Sequence, residues 1–279
     1  MLRPVRNTYT AQIIDLDGSP VWQAIPLPGL EQVSPFILLH HFNRHFAPGE
    51  VVFGVPAHPH RGFSPVTYLF DGAVEHHDSL GNSAVIHDNE VQWINAGRGL
   101  IHSEKITRDF AEKGGHYQGV QLWINVPAAK KMSSPEYLPI TAGEMVLMEK
   151  DGVTMRLVSG AYGEHCGPAP SSVFSAMLRM KSGSNFRIPF PDTNHVLLYV
   201  LEGEVNANDT INGRHQLIAF EAVAGDIELH CSSEAKLLLL AGEPIDEPMV
   251  KQGPYVMNTQ TEILEAMRDY AQGRMGFLY

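Results

Sequence analysis

Short runs of β-branched and aromatic residues alternate with turn residues through most of the chain. Val66-Thr67-Tyr68-Leu69-Phe70, Ala84-Val85-Ile86, Val91-Gln92-Trp93-Ile94 and Gln121-Leu122-Trp123-Ile124 are strand-length, each bounded by Gly, Asn or Asp. Asp71-Gly72, Gly81-Asn82 and Asn212-Gly213 are turn signals. Many short strands with frequent turns predict an all-β sandwich or barrel rather than an α/β fold. Helical spacing emerges clearly at the end. Thr259-Gln260-Thr261-Glu262 fits a capping box, with Thr259 as N-cap. Ile263, Leu264, Met267 and Tyr270 then share one face, and Gly273 is a stop. This predicts a helix over 259–272 whose apolar face packs on a barrel wall.

The pattern is interrupted at 125–140, "NVPAAKKMSSPEYLPI", where three prolines, two serines and a lysine pair read as a linker. "YLFDGAV" at 68–74 is echoed by "YVLEGEV" at 199–205, an offset of 131, which suggests a duplicated domain. The expected division is therefore 1–134 and 135–279, with the helix in the second part.

The 279 residues include 44% apolar residues, enough for a real core rather than a disordered chain. A formal net charge of −11 argues against direct nucleic-acid binding, which needs a basic surface. The two cysteines, Cys166 and Cys231, read as reduced thiols. The start, MLRPVRNTYT, has no apolar signal core, and the most apolar run, "AKLLLLAG" at 235–242, is only strand-length. A soluble cytoplasmic protein without a membrane span is expected.

Fourteen histidines stand against twenty Lys and Arg, and most lie in the first half. In a strand, residues i and i+2 face the same way. His58 and His60 form one such pair, and His102 and Glu104 form another. Neighbouring strands would unite three imidazoles and one carboxylate, a set that suits a first-row divalent metal. A small barrel has room for one small ligand beside it. A single strand histidine is usually a packed or hydrogen-bonded residue; two i,i+2 pairs in one half point to metal. His76 and His77, like His40 and His41, are adjacent, so at most one of each faces the site. His45, His87, His165, His215 and His230 read as surface or satisfied residues. His116, in "GGHYQG", is a candidate for the pocket surroundings.

"HPHRGF", "HHDSLGN" (76–82), "VQWINAGRGLIHSE", "QLWINVPA" and "GPYVMNT" together resemble the pirin family of bicupins. The resemblance implies two tandem cupin jelly-roll barrels, with His58, His60, His102 and Glu104 binding one divalent transition metal in the N-terminal one. It implies iron as the usual metal; copper, nickel, cobalt, manganese or zinc would suit the same donors, although zinc would do no redox chemistry. Where ordinary cupins place a Glu four or five residues after the His pair, this chain has Ser64 and Pro65, so Glu104 supplies the carboxylate. His40 stands where relatives often carry an acidic residue. At the offset of 131, His58 and His60 map to Pro189 and Pro191, and His102 and Glu104 map near Ser233 and Ala235. His195 is the histidine near that first strand, so no such metal site is expected in the second barrel.

In some members the resemblance implies dioxygenase activity on the flavonol quercetin. The substrates would be a small phenol and O2, the heterocycle would open and CO would leave, with Glu104 as the catalytic group favouring the substrate anion. The competing implication is a non-catalytic, metal- or redox-dependent co-regulator of transcription that acts through a protein partner. A purely structural metal fits less well, because structural sites are usually closed.

Overall fold

The computed structural model describes every residue except Asp17, Val51, Val52, Phe53 and Tyr279. It is built of strands, as the alternating pattern predicts, and clusters into two compact units. One comprises Asp15–Val21, Phe36–Thr141 and Ile245–Tyr279; the other comprises Met1–Ile14, Trp22–Pro35 and Ala142–Pro244.

In the first unit, Glu136–Ile140, Glu90–Asn95, Phe63–Asp71, Gly115–Asn125 and Phe36–Phe46 lie side by side in that order. A four-stranded sheet has the order Gly54–His60, Leu100–Ile106, Val74–Asp78, Ser83–Ile86. The two sheets face each other: Glu104 of the small sheet is hydrogen-bonded by Thr67, Gln92 and Gln121 of the large one. This is the jelly-roll solution to exposed strand edges, two sheets closed over a shared interior.

The second unit repeats the plan. Its large sheet includes His195–Glu202, Ala235–Gly242 and Phe174–Met180, and its small sheet runs Asn185–Phe190, Gly225–Cys231, Glu204–Ala207, Thr210–Gly213. Inward residues of both sheets, such as Leu157, Leu198, Leu239 and Ile227, fill its core. The echoed segments occupy equivalent strand–Gly–strand corners, at Gly72 (φ 110°) and Gly203 (φ 80°). The Asn212-Gly213 pair lies inside a strand instead. The hairpin turn there is Asn208-Asp209, both with positive φ, as a two-residue turn of the right twist requires.

The compact units do not divide the chain at residue 134. Val5–Thr10 pairs with Gln216–Phe220, so the first strand completes the sheet of the later unit. Residues 245–279 return to the earlier unit, where Ile263 and Ala266 pack with Ile101, Tyr255, Met257 and Met275. Nor is 125–140 a linker. It holds a short helix, Ala128–Lys131, and the strand Glu136–Ile140, which pairs along Glu90–Asn95. Pro139 is tolerated because that strand is at the sheet edge. Lys131 is buried, and its ammonium donates to the Gly62 and Val256 carbonyls and to Asn125.

The helix Gln260–Ala271 begins with the expected capping box on Thr259 and Glu262. Its buried face differs from the expected one: Ile263 and Ala266 are buried, whereas Leu264, Met267 and Tyr270 are exposed. An ion pair sets the rotation. Buried Arg61 donates from both Nη1 and Nη2 to Asp269 Oδ2 at 3.0 Å, and from Nε to the Arg98 carbonyl at 2.6 Å. Both cysteines are free, Cys166 exposed and Cys231 buried. No helix among the described residues is long and apolar enough to cross a membrane.

Candidate metal centre

Gly54–His60 and Leu100–Ile106 pair antiparallel, with His102 opposite His58 and Leu100 opposite His60. Directly opposed residues share a face, so the three imidazoles of His58, His60 and His102 enter the barrel together. Their ring centroids are 4.4 to 4.9 Å apart. Among the described residues, this is the set of His, Cys, Asp or Glu side chains whose ligand atoms all lie within 4.8 Å of one another.

The donor set fits a metal ion. An ion about 2.1 Å from two imidazole nitrogens at a right angle sets them about 3.0 Å apart. His58 Nε2 and His60 Nε2 stand 3.0 Å apart. His58 Nδ1 donates to the Pro56 carbonyl at 2.8 Å, which leaves the lone pair on Nε2. His102 Nε2 is buried and has no hydrogen-bond partner, an arrangement that a buried polar atom rarely tolerates without a ligand. Burial holds the His60 and His102 imidazoles well below the usual histidine range, and the neighbouring imidazoles add to the effect. Both are therefore neutral, as ligation needs. His60 is walled by Phe63 and Trp123, at 5.1 and 5.3 Å between centroids.

Behind His102 stands a chain that the histidine spacing alone did not reveal. His102 Nδ1 lies 3.4 Å from His76 Nδ1, and His76 Nε2 lies 3.1 Å from Asp78 Oδ2. All three side chains are buried. His76 stacks on Tyr137 at 3.9 Å, nearly parallel. Burial pushes the Asp78 carboxyl up, but hydrogen bonds from His76 and Asn82 outweigh this and hold it below the usual range. Of the adjacent pair, His76 faces inward and His77 turns out to Glu75.

Glu104, the fourth expected ligand, is buried on the same strand face as His102 but is not in the 4.8 Å cluster. Both carboxylate oxygens are engaged by neutral donors. Gln92 Nε2 and Thr67 Oγ1 donate to Oε1, and Gln121 Nε2 donates to Oε2 at 3.3 Å. These donors form one rung of the large sheet: Gln92 opposes Thr67, Thr67 opposes Gln121, and Gln121 opposes His40. His40 thus shares the rung's inward face, and burial, with the charge of Lys251, lowers its imidazole to about 4. A cavity of about 20 Å³, room for one water, is lined by Glu104, Thr67, Gln121, Tyr117 and Phe42. Burial, then the Glu104 charge, raises the phenols of Tyr117 and Tyr137.

The remaining histidines lie elsewhere. His116 sits between Asp71 and Asn43 and stacks on exposed His45. His87, His165 and His230 are exposed, and buried His215 stacks on Trp22. His195 Nδ1 donates to the Ser34 carbonyl.

Strand pairing corrects the expected correspondence in the second barrel. There Phe190 opposes Gly225 and Ile188 opposes Ile227, as His60 opposes Leu100 and His58 opposes His102. The positions of His58, His60, His102 and Glu104 therefore correspond to Ile188, Phe190, Ile227 and Leu229, not to Pro189, Pro191, Ser233 and Ala235. The offset is 130 at the first pair (188 − 58) and 125 at the second (227 − 102), the second change because the connection between the paired strands is shorter in the second barrel. All four residues belong to its apolar core.

Two family profiles match the chain: Pirin over residues 19–124, and the Pirin C-terminal cupin domain over 175–276. A Pseudomonas aeruginosa protein provisionally named a quercetin 2,3-dioxygenase is 36% identical, over 92% of each chain. Human pirin is 32% identical, over 93% of this chain and 89% of its own. The crystal structure of a quercetin 2,3-dioxygenase from Acinetobacter baumannii matches all of both chains with a TM-score of 0.93 at 32% identity.

Proposed function

The chain belongs to the pirin family, and we propose that it is a metal-dependent dioxygenase that opens the heterocycle of a flavonol such as quercetin with O2 and releases CO. One divalent transition metal, iron foremost, would be held by His58, His60 and His102, with Glu104 as a fourth, exchangeable ligand. The observation that carries this reading is the unpaired, buried Nε2 of His102 beside two further imidazole nitrogens, one strand step from a carboxylate held only by neutral donors. The two dioxygenase-named relatives support it.

A bound metal supplies Lewis acidity toward a phenolic oxygen and, when redox-active, a route for electrons to O2. The chain's own residues do the rest. Glu104 accepts the proton of the flavonol 3-hydroxyl at a carboxylate oxygen. Gln92, Thr67 and Gln121 fix the carboxylate's orientation through hydrogen bonds from neutral donors. Phe63 and Trp123 pack against the His60 imidazole and would give the substrate anion an apolar wall. His58 is the half-buried imidazole of the three, so the aromatic body would sit on its side. Both atoms of O2 enter the product, and the excised ring carbon leaves as CO.

The test uses protein purified without a histidine tag and loaded with iron. Quercetin's long-wavelength absorbance should bleach in air, with equal amounts of O2 consumed and CO released. Metal-replete protein that leaves quercetin and related flavonols untouched would overturn the proposal in favour of the co-regulator role, which a pull-down under oxidising and reducing conditions then examines.

A further inference from the structure

We propose that His76 and Asp78 are positioning residues: together they fix the proton of His102 on Nδ1 and so turn its Nε2 lone pair toward His58 and His60. The inference extends the metal-site reading and rests on it for its purpose, although not for its geometry.

The argument follows the protons. Asp78 is built to be an acceptor. Its Oδ1 takes the main-chain N–H groups of Leu80 and Asn82 at 2.9 and 3.0 Å, and its Oδ2 takes Asn82 Nδ2 at 2.9 Å. The turn 78–82 thus surrounds the carboxylate with donors. The remaining neighbour of Oδ2 is His76 Nε2 at 3.1 Å, which must therefore carry its proton. A neutral imidazole protonated on Nε2 has an acceptor at Nδ1. That acceptor faces His102 Nδ1 at 3.4 Å, so His102 is protonated on Nδ1. Its Nε2 is then the lone-pair nitrogen, and Nε2 is the atom buried without a partner beside the other two imidazoles. Stacking on Tyr137 at 3.9 Å keeps the His76 ring in plane for both contacts. A carboxylate behind a ligating imidazole commonly fixes its tautomer and raises its basicity. Here one further imidazole separates the two, because Asp78 is opposite His102 in the ladder and its side chain is occupied by its own turn.

Asp78→Asn discriminates. The amide oxygen can keep the two main-chain N–H groups, while Nδ2 takes the place of Oδ2 and becomes a donor toward His76. The His76 proton must then move to Nδ1, which forces the His102 proton onto Nε2, where the metal should be. His76→Asn is the companion variant: its Oδ1 can stand close to the former Nδ1 and keep an acceptor for His102.

The experiment reads imidazole tautomers by 15N NMR on the metal-free protein at slightly alkaline pH, and Zn2+ affinity by chelator competition. In the wild type His102 should be the Nδ1–H tautomer. In Asp78→Asn it should become Nε2–H, with Zn2+ affinity about 10–100-fold weaker. His76→Asn should retain Nδ1–H on His102 and bind Zn2+ close to wild type, whereas His76→Phe, which keeps the stack but no acceptor, should lose affinity. A His102 Nε2–H tautomer in the wild type, or an unchanged tautomer and affinity in both Asp78→Asn and His76→Phe, overturns the proposal. If Asp78→Asn does not fold, the contrast between His76→Asn and His76→Phe decides. A wild type that binds no metal would sink the metal-site reading instead, while the tautomers still judge the relay.

Discussion

Glu104→Gln separates the two roles that Glu104 can play. The glutamine keeps the size and one acceptor oxygen but loses charge and basicity. In the wild type the carboxylate accepts from Gln92, Thr67 and Gln121. A hydrogen bond to a charged group contributes about 1.5–3 kcal/mol and a neutral one about 0.5–1.5. Three charge-assisted bonds become two neutral ones plus a donor–donor conflict, which Gln121 or Gln92 relieves by turning its amide. The net loss of stability should be about 1–3 kcal/mol, within what the fold survives. If Glu104 also takes the substrate proton, turnover should fall by about 10²–10⁴. Metal content should fall much less, because three imidazoles remain. The assay pairs metal analysis with steady-state quercetin turnover on the same preparation and adds a melting curve. Turnover falling in strict proportion to metal would make Glu104 a ligand only, and the base argument would be wrong.

Single replacements His58→Ala, His60→Ala and His102→Ala should each lower metal occupancy while His195→Ala does not; full occupancy in two of the three would refute the site. Arg61→Met should cost about 3 kcal/mol, the lower end for breaking a buried pair, because Asp269 keeps Arg268 and Arg274. Its melting temperature should fall, and an equal fall in Arg268→Met, an exposed position, would show that the buried pair is not what docks the helix. Acid should begin to destabilise the fold through buried histidines. His40 and His215 are held down to about 4, chiefly by burial, so between about 6.5 and 4 the unfolded chain binds protons that the native one refuses. Stability should drop as pH falls through that window, by up to about 3 kcal/mol for each group, and His40→Gln should flatten the urea-unfolding profile. A flat wild-type profile would contradict it.

Strand content and the three-imidazole cluster were legible because both depend on period-two spacing, which a strand converts directly into a shared face. What depended on partners far away in sequence was not legible. Nothing in Val5–Thr10 says that it pairs with Gln216–Phe220, and the prolines of 125–140 suit an edge strand as well as a linker. The helix face was misjudged because apolarity favoured Leu264, Met267 and Tyr270, whereas the Arg61–Asp269 pair sets the rotation. The carboxylate's supports had a signal that went unused. Gln92, Thr67 and Gln121 are polar residues placed in otherwise apolar strands, each facing in. Such a residue in a buried strand needs a partner, and theirs is Glu104. Asp78 could be seen two residues from His76, but its role needs the turn that points three donors at it.

The two barrels carry the same ladder with opposite contents, which separates what the fold requires from what the site requires. At the positions that match His58, His60, His102 and Glu104 the second barrel has Ile188, Phe190, Ile227 and Leu229, continuous with its apolar core. The first has three imidazoles and a carboxylate, and then a ring of polar groups needed to satisfy them: the Gln92–Thr67–Gln121 rung for Glu104, and His76 with Asp78 for His102. Buried polar groups destabilise unless partnered, so placing ligands inside a barrel obliges the surrounding strands to become polar as well. His102 Nε2, like His60 Nδ1, is a buried ring nitrogen that this provision leaves without a protein hydrogen-bond partner. On the proposed metal-site reading, the open Nε2 of His102, beside the other two imidazoles, is where an ion would complete the set.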